Sequence, residues 1–81
     1  MKLFVFSMYD TKTEIYGVPH FMKSQGEALR AVMDMLLEDN LISRHPEDFI
    51  LFQLGTFDDS DGTFTEVKKS LCHVIDLKKG D

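Results

Sequence analysis

The chain opens on an alternation. In Lys2–Asp10, Phe4, Phe6 and Met8 fall on one side of an extended backbone and Leu3 and Val5 on the other. That period of two predicts a strand with apolar residues on both faces. Asp10–Thr13 has turn composition. Ile15–Lys23 reads as a second extended run, and Gly17 and Pro19 inside it push it to a sheet edge or a bulge. At Ser24 the period changes. Leu29, Val32, Met33 and Leu36 recur at helical spacing, with Ala28 and Leu37 beside them. Ser24 and Glu27 fit a capping box, and Asn40 is the expected stop. Pro46 holds His45 away from helical angles and begins a turn. Phe49–Gly55 follows as a strand apolar on both faces, Ile50, Phe52 and Leu54 against Phe49 and Leu51. Phe57–Gly62 is rich in turn formers and reads as a hairpin tip returning through Thr63–Val67. Leu71–Leu77 reads as a last strand.

These elements define an α+β class: a small, mainly antiparallel sheet of four to five strands with one helix packed on one face, in ββαββ-like order, within a single domain spanning residues 1–81. One helix covers only one face of such a sheet. The other face is therefore expected to be a contact surface, most simply between copies of the chain in a homo-oligomer.

Length sharpens that expectation. A domain of 81 residues buries only roughly 60% of its unfolded surface, so its core is small. The single cysteine, Cys72, excludes a disulfide within the chain and suits a reducing compartment. The apolar run after Lys2 ends at Ser7, too short for a signal peptide, and no segment is long enough to span a membrane. The formal net charge of −5 argues against indiscriminate attraction to nucleic acid or anionic lipid. The charge is uneven, however. Lys2, Lys12 and Lys23 lie near the start, and Lys68, Lys69, Lys78 and Lys79 near the end.

Catalytic and metal chemistry find little support. Cys72 and His73 are neighbours on a strand, so their side chains point to opposite faces and cannot pair as nucleophile and base. His20, His45 and His73 lack metal-ligand spacing. A calcium loop with Gly62 at its sixth position would put Phe57 at its first and Lys68 at its twelfth, and neither can serve as required. His45, Glu47 and Asp48 carry the groups of acid–base chemistry, but nothing else in the chain offers a partner. A proline turn that launches a strand explains them, with a binding role for one of the three as the alternative. No enzyme activity, cofactor or metal is expected.

Four segments together carry a resemblance: Met1–Phe4 (MKLF), Tyr16–Phe21 (YGVPHF), Arg44–Gly55 (RHPEDFILFQLG) and Thr56–Gly62 (TFDDSDG). In this order they resemble the small nonstructural protein of gokushoviruses, the single-stranded DNA bacteriophages of the Microviridae. The likeness covers roughly residues 1–65. The His-Pro-Glu-Asp-Phe run with its trailing Leu-Gly and Phe-Asp carries most of the specificity. His20 departs from the family pattern, where Pro or Phe is usual, and the basic tail has no match. The resemblance implies a protein of the host bacterial cytoplasm that binds DNA, single-stranded or replicative form, and acts in replication and in packaging into the procapsid.

Two functions follow. In the first, the chain contacts DNA directly, and Lys2, Lys12, Lys68, Lys69, Lys78 and Lys79 are the candidate nucleic-acid-binding residues. That requires the basic ends to converge, with Lys68 and Lys69 joining Lys12 at one rim of the sheet. In the second, the chain is an adaptor that docks on the replication initiator or the procapsid protein without touching DNA. Its acidic charge and two-faced strands favour this reading.

Overall fold

The computed structural model describes residues 1–79, the last of these by its backbone alone. The elements are β1 (Lys2–Asp10), β2 (Ile15–Tyr16), β3 (His20–Met22), α1 (Gln25–Leu36), α2 (Leu41–Arg44), a 3-10 turn (Pro46–Asp48), β4 (Phe49–Asp58), β5 (Thr63–His73) and α3 (Val74–Lys79). All strand pairings are antiparallel, in the order β2-β1-β4-β5, and β3 pairs with β1 on the same side as β2. This is the α+β class with a five-stranded sheet and one main helix.

The two weak residues of the second extended run split it in two. Tyr16 pairs with Tyr9 and His20 with Phe6, and Gly17, Val18 and Pro19 leave the ladder between them. The break is held locally. The Gly17 amide donates to the Met8 carbonyl at 2.8 Å, and the buried Ser7 hydroxyl donates to the Gly17 carbonyl at 2.8 Å. One edge of the sheet is thus short and interrupted.

α1 begins where its cap chemistry places it. Ser24 Oγ accepts from the Glu27 amide at 3.2 Å, but the Glu27 carboxylate reaches past Ser24 to the Lys23 amide at 2.8 Å. The expected reciprocal box therefore closes one residue earlier. Asn40 does more than stop a helix. α1 ends at Leu36, and Asn40 caps α2 in a true capping box with Ser43, while its side-chain amide donates to the Met35 carbonyl at the end of α1. One side chain so satisfies orphan groups of two helices.

The core lies between α1 and the sheet: Phe6, Ala28, Val32, Phe49, Leu51 and Val74 are buried, with Leu29, Leu36 and Leu77 packed around them. The buried stripe runs through Ala28 and Val32. Met33 is half exposed, and Leu37 is 85% exposed. The helix is therefore turned from the orientation its largest apolar residues predict. Val74 is fully buried because the chain does not continue as a strand there. β5 runs unbroken to His73, and Val74–Lys79 folds back as α3 over the open end of the core. The expected strand Leu71–Leu77 is corrected accordingly. Val74 and Leu77, three apart, share a face of a helix and not of a strand, and both pack into the core.

Gly55 sets the shape of the β4–β5 hairpin. A Cβ there would run into the Thr65 carbonyl oxygen. The register shifts on both sides of β4, between Val5 and Phe6 toward β1 and between Gln53 and Gly55 toward β5, surround this approach. Bulges of this kind increase twist. Replacing Gly55 by Ala should cost about 1–3 kcal/mol in denaturant unfolding, since backbone has to move. Gly26→Ala, whose new methyl meets only ordinary contact, should be neutral or stabilising by up to about 1 kcal/mol.

Candidate nucleic-acid interface

Helices cover one face of the sheet only. The register assigns the other face. Tyr9, Ile50 and His73 lie in one row across β1, β4 and β5, Ser7, Phe52 and Ser70 in the next, and Leu3, Phe57 and Phe64 near the hairpin end. Tyr16 joins this face opposite Tyr9, and Phe21 joins it opposite Val5.

Two aromatic trios result. Tyr9, Tyr16 and Phe52 have ring centroids 4.6, 5.9 and 5.3 Å apart, with Phe52 edge-on to both tyrosines. Phe21, Phe57 and Phe64 have centroids 5.7, 6.2 and 6.0 Å apart. These are the tilted and edge-to-face arrangements that ring quadrupoles favour. The tight approach at Gly55 separates the trios. Phe21 is 50% and Phe64 55% exposed, so rings of the second trio present open faces to solvent.

The charges around the trios differ. The Lys68 ammonium reaches across β4 to lie 5.2 Å from the centre of the Tyr16 ring, within the range of a cation–π contact. Next to Phe57 and Phe64 in the chain come the hairpin carboxylates Asp58, Asp59 and Asp61, and Glu66 stands opposite Gly55, between the two trios. Asp58 is held below the usual carboxylate range, chiefly by hydrogen bonds from the Ser60 hydroxyl and amide and also by the nearby terminal amine. The amine of Met1, 2.8 Å from Asp59, is raised by that hydrogen bond.

The six candidate lysines do not converge. Lys2 and Lys12 flank opposite ends of β1: Lys2 pairs with Asp58 beside the hairpin tip, and the Lys12 amide donates to the Asp10 carboxylate in the turn at the far end. Lys68 and Lys69 sit in the middle of β5 and not before a last strand. They point to opposite faces, Lys68 over Tyr16 and Lys69 opposite Gln53 on the helix side. Lys78, on α3, donates to the Ser43 carbonyl at 3.4 Å in the helical layer. Lys79 ends α3, and its side chain lies outside the described residues. Lys68 alone among the described candidates reaches the aromatic face.

Base stacking by aromatics is foreseeable from the sequence, but which aromatics gather on one face is not. Their signal is present in the second face of each strand, where Tyr9, Phe52 and Phe57 alternate with core positions. Pairing register is needed to bring them together.

Two other groups are resolved by geometry. His45, Glu47 and Asp48 offer atoms within 4.8 Å of one another at an exposed turn. The backbone there is structural. The Asp48 carbonyl accepts from both the amide and the hydroxyl of Thr11, tying the turn to the end of β1. Cys72 pairs with Leu51 on the helix side and His73 with Ile50 on the aromatic face, so the two side chains diverge. A shallow apolar groove, lined by Met8, Gly17, Met35 and Ile42 among others, runs beside α1 along the interrupted edge.

A twisted antiparallel sheet with helices on one face and aromatic clusters on the other defines a small sheet-platform protein. The sequence profile of the phage ORF5 proteins matches residues 3–77. Protein ORF5 of Chlamydia phage 1 is 32% identical over 80 residues, covering 93% of this chain and 83% of the relative. The chain belongs to the phage ORF5 protein family, the gokushovirus-type family its motifs resemble. No solved structure matches it. Among the described residues, no helix is long and apolar enough to cross a membrane.

Half-burial raises the Cys72 thiol above its ordinary value, and Asp76 adds to the effect. The thiolate is the reactive form. Cys72 should therefore alkylate more slowly with iodoacetamide at pH 8 than a free cysteine peptide, and unfolding in urea should abolish the difference.

Proposed function

We propose that the helix-free face binds single-stranded DNA during phage DNA replication and packaging into the procapsid, in the cytoplasm of the host. The observation that carries this reading is the Tyr9–Tyr16–Phe52 cluster with the Lys68 ammonium above it. Aromatic rings stack on unpaired bases without regard to sequence, and a neighbouring cation meets the phosphate. In B-form duplex the bases are stacked on one another, so a sheet-borne aromatic platform favours a single strand over the replicative duplex. The acidic hairpin confines the strand to the tyrosine end, which explains how a chain of net charge −5 avoids repelling its ligand. This reading uses no catalysis and no metal.

A second reading has its own observation. Phe21 and Phe64 are half exposed and sit on strands that lead to the acidic hairpin, and a protein partner such as the replication initiator or the procapsid protein suits them better than a phosphate backbone. In that reading the chain is an adaptor without DNA contact.

Binding of a short oligothymidine, followed by fluorescence anisotropy against salt, separates the two. The expected result is affinity that falls with salt, and a slope that drops by about 0.7 in Lys68→Ala. Tyr16→Leu should weaken binding by about 1–3 kcal/mol with little change of slope. Lys78→Ala, in the helical layer, should change neither. Binding that is absent in wild type, or unaltered in both Lys68→Ala and Tyr16→Leu, rejects the DNA reading. Retention of procapsid protein by wild type, lost in Phe21→Ala/Phe64→Ala, would then support the adaptor.

A further inference from the structure

The two edges of the sheet are unlike. On one side β2 and β3 offer two and three residues, separated by the Gly17–Pro19 break. On the other side β5 runs for eleven residues, pairs only with β4, and is exposed from Thr63 to Ser70. Its outer row of amides and carbonyls has no partner strand among the described residues. A long, open edge invites another strand.

We infer that β5 pairs antiparallel with β5 of a second copy of this chain, about a two-fold axis through Val67. The charge sequence of β5 selects this register. A two-fold that continues the sheet and keeps the helices of both copies on one side places residues of equal parity opposite each other, because side chains alternate along a strand. The centre of symmetry must then fall on a residue. Centred on Val67, Glu66 of each copy faces Lys68 of the other, twice, and Thr65 faces Lys69. Centred on Glu66, two carboxylates meet. Centred on Lys68 or Lys69, two ammonium groups meet. Opposite charges directly across a strand pair stabilise it, and like charges destabilise it. Of the registers that pair the middle of the strand, only the one on Val67 joins opposite charges without opposing like ones. Edge lysines and bulges ordinarily discourage strand addition. Here the alternation of Glu66 and Lys68 makes the same features a key for one register. Val67 itself, 48% exposed, meets its own copy at the axis.

The pairing moves self-association from the helix-free face, where the sequence pattern places it, to the edge. The aromatic faces of the two copies then lie on one side of a continuous sheet. The inference stands apart from DNA binding. Lys68 enters both, lying over Tyr16 in the one and swinging outward to Glu66 of the copy in the other, and charge reversal at Glu66 separates them, since it breaks the pairing and leaves Lys68 over Tyr16.

The test is sedimentation velocity across micromolar concentrations with two sets of variants, each checked for wild-type circular dichroism. Wild type should sediment as a dimer. Glu66→Lys should weaken dimerisation by roughly tenfold or more, and Glu66→Lys/Lys68→Glu should restore it, because the swapped charges again meet as opposites. In a Cys72→Ser background, Val67→Cys should form a disulfide-linked dimer on mild oxidation, since residues opposite at the axis bring their Cβ atoms to about 4.5–5.5 Å. Thr63→Cys in the same background, which faces Leu71 of the copy, should not. A monomer at every concentration overturns the inference. So does a folded double variant that stays monomeric, or equal cross-linking of Thr63→Cys and Val67→Cys.

Discussion

Nine consecutive residues of β1, Lys2 to Asp10, pair with β4, and the rest of the molecule depends on that ladder. The two strands are far apart in sequence, so loop closure has to be met before their pairing stabilises anything. Once formed, the ladder presents Phe6, Met8, Phe49 and Leu51 as a surface on which α1 closes. It also fixes where the three outer strands attach: β2 and β3 to β1, and β5 to β4. The buried polar groups on this axis are matched. Gln53 accepts from the Gln25 side chain at 3.0 Å, so the helix is hydrogen-bonded to the strand as well as packed on it. An unpartnered amide at that depth would cost about 1–3 kcal/mol.

The division of the sheet into two faces follows from the same ladder. Alternation sends Phe4, Phe6 and Met8 to the helices and Leu3 and Tyr9 to the other side. A chain of this size has one main helix with which to cover apolar surface, so the second face is left with rings that cover one another. Edge-to-face packing of Tyr9, Tyr16 and Phe52 shields part of each ring.

Much of this is legible in the sequence, and the parts that are not share a cause. β1 is legible residue for residue, because Lys2–Asp10 is rich in aromatic and β-branched residues and is followed at once by a turn. So are the Ser24 cap, the break at Gly17 and Pro19, and the hairpin turn, each written by residues with strong local preferences, although the turn is confined to Asp59–Gly62 and Phe57 and Asp58 still pair in β4. α3 reads as strand because Leu71–Leu77 is a short apolar run, and such runs do not distinguish helix from strand. Its helical state comes from docking Val74 and Leu77 into the core, a tertiary effect. Asn40 marks a helix boundary for the right chemical reason, but the boundary belongs to the next helix. The site is the least legible. Lysines attract notice as single charges, whereas Tyr9, Tyr16, Phe52 and Lys68 form a site only once their strands are in register.

The interruption at Gly17–Pro19 limits how far the sheet can grow. Pro19 has no amide hydrogen, and the segments on either side of the break are only two and three residues long. In the pairing inferred for β5, that edge is filled, and no second long edge remains to template another copy. Growth by strand addition stops after one step, so the protein can share a sheet without forming a fibre.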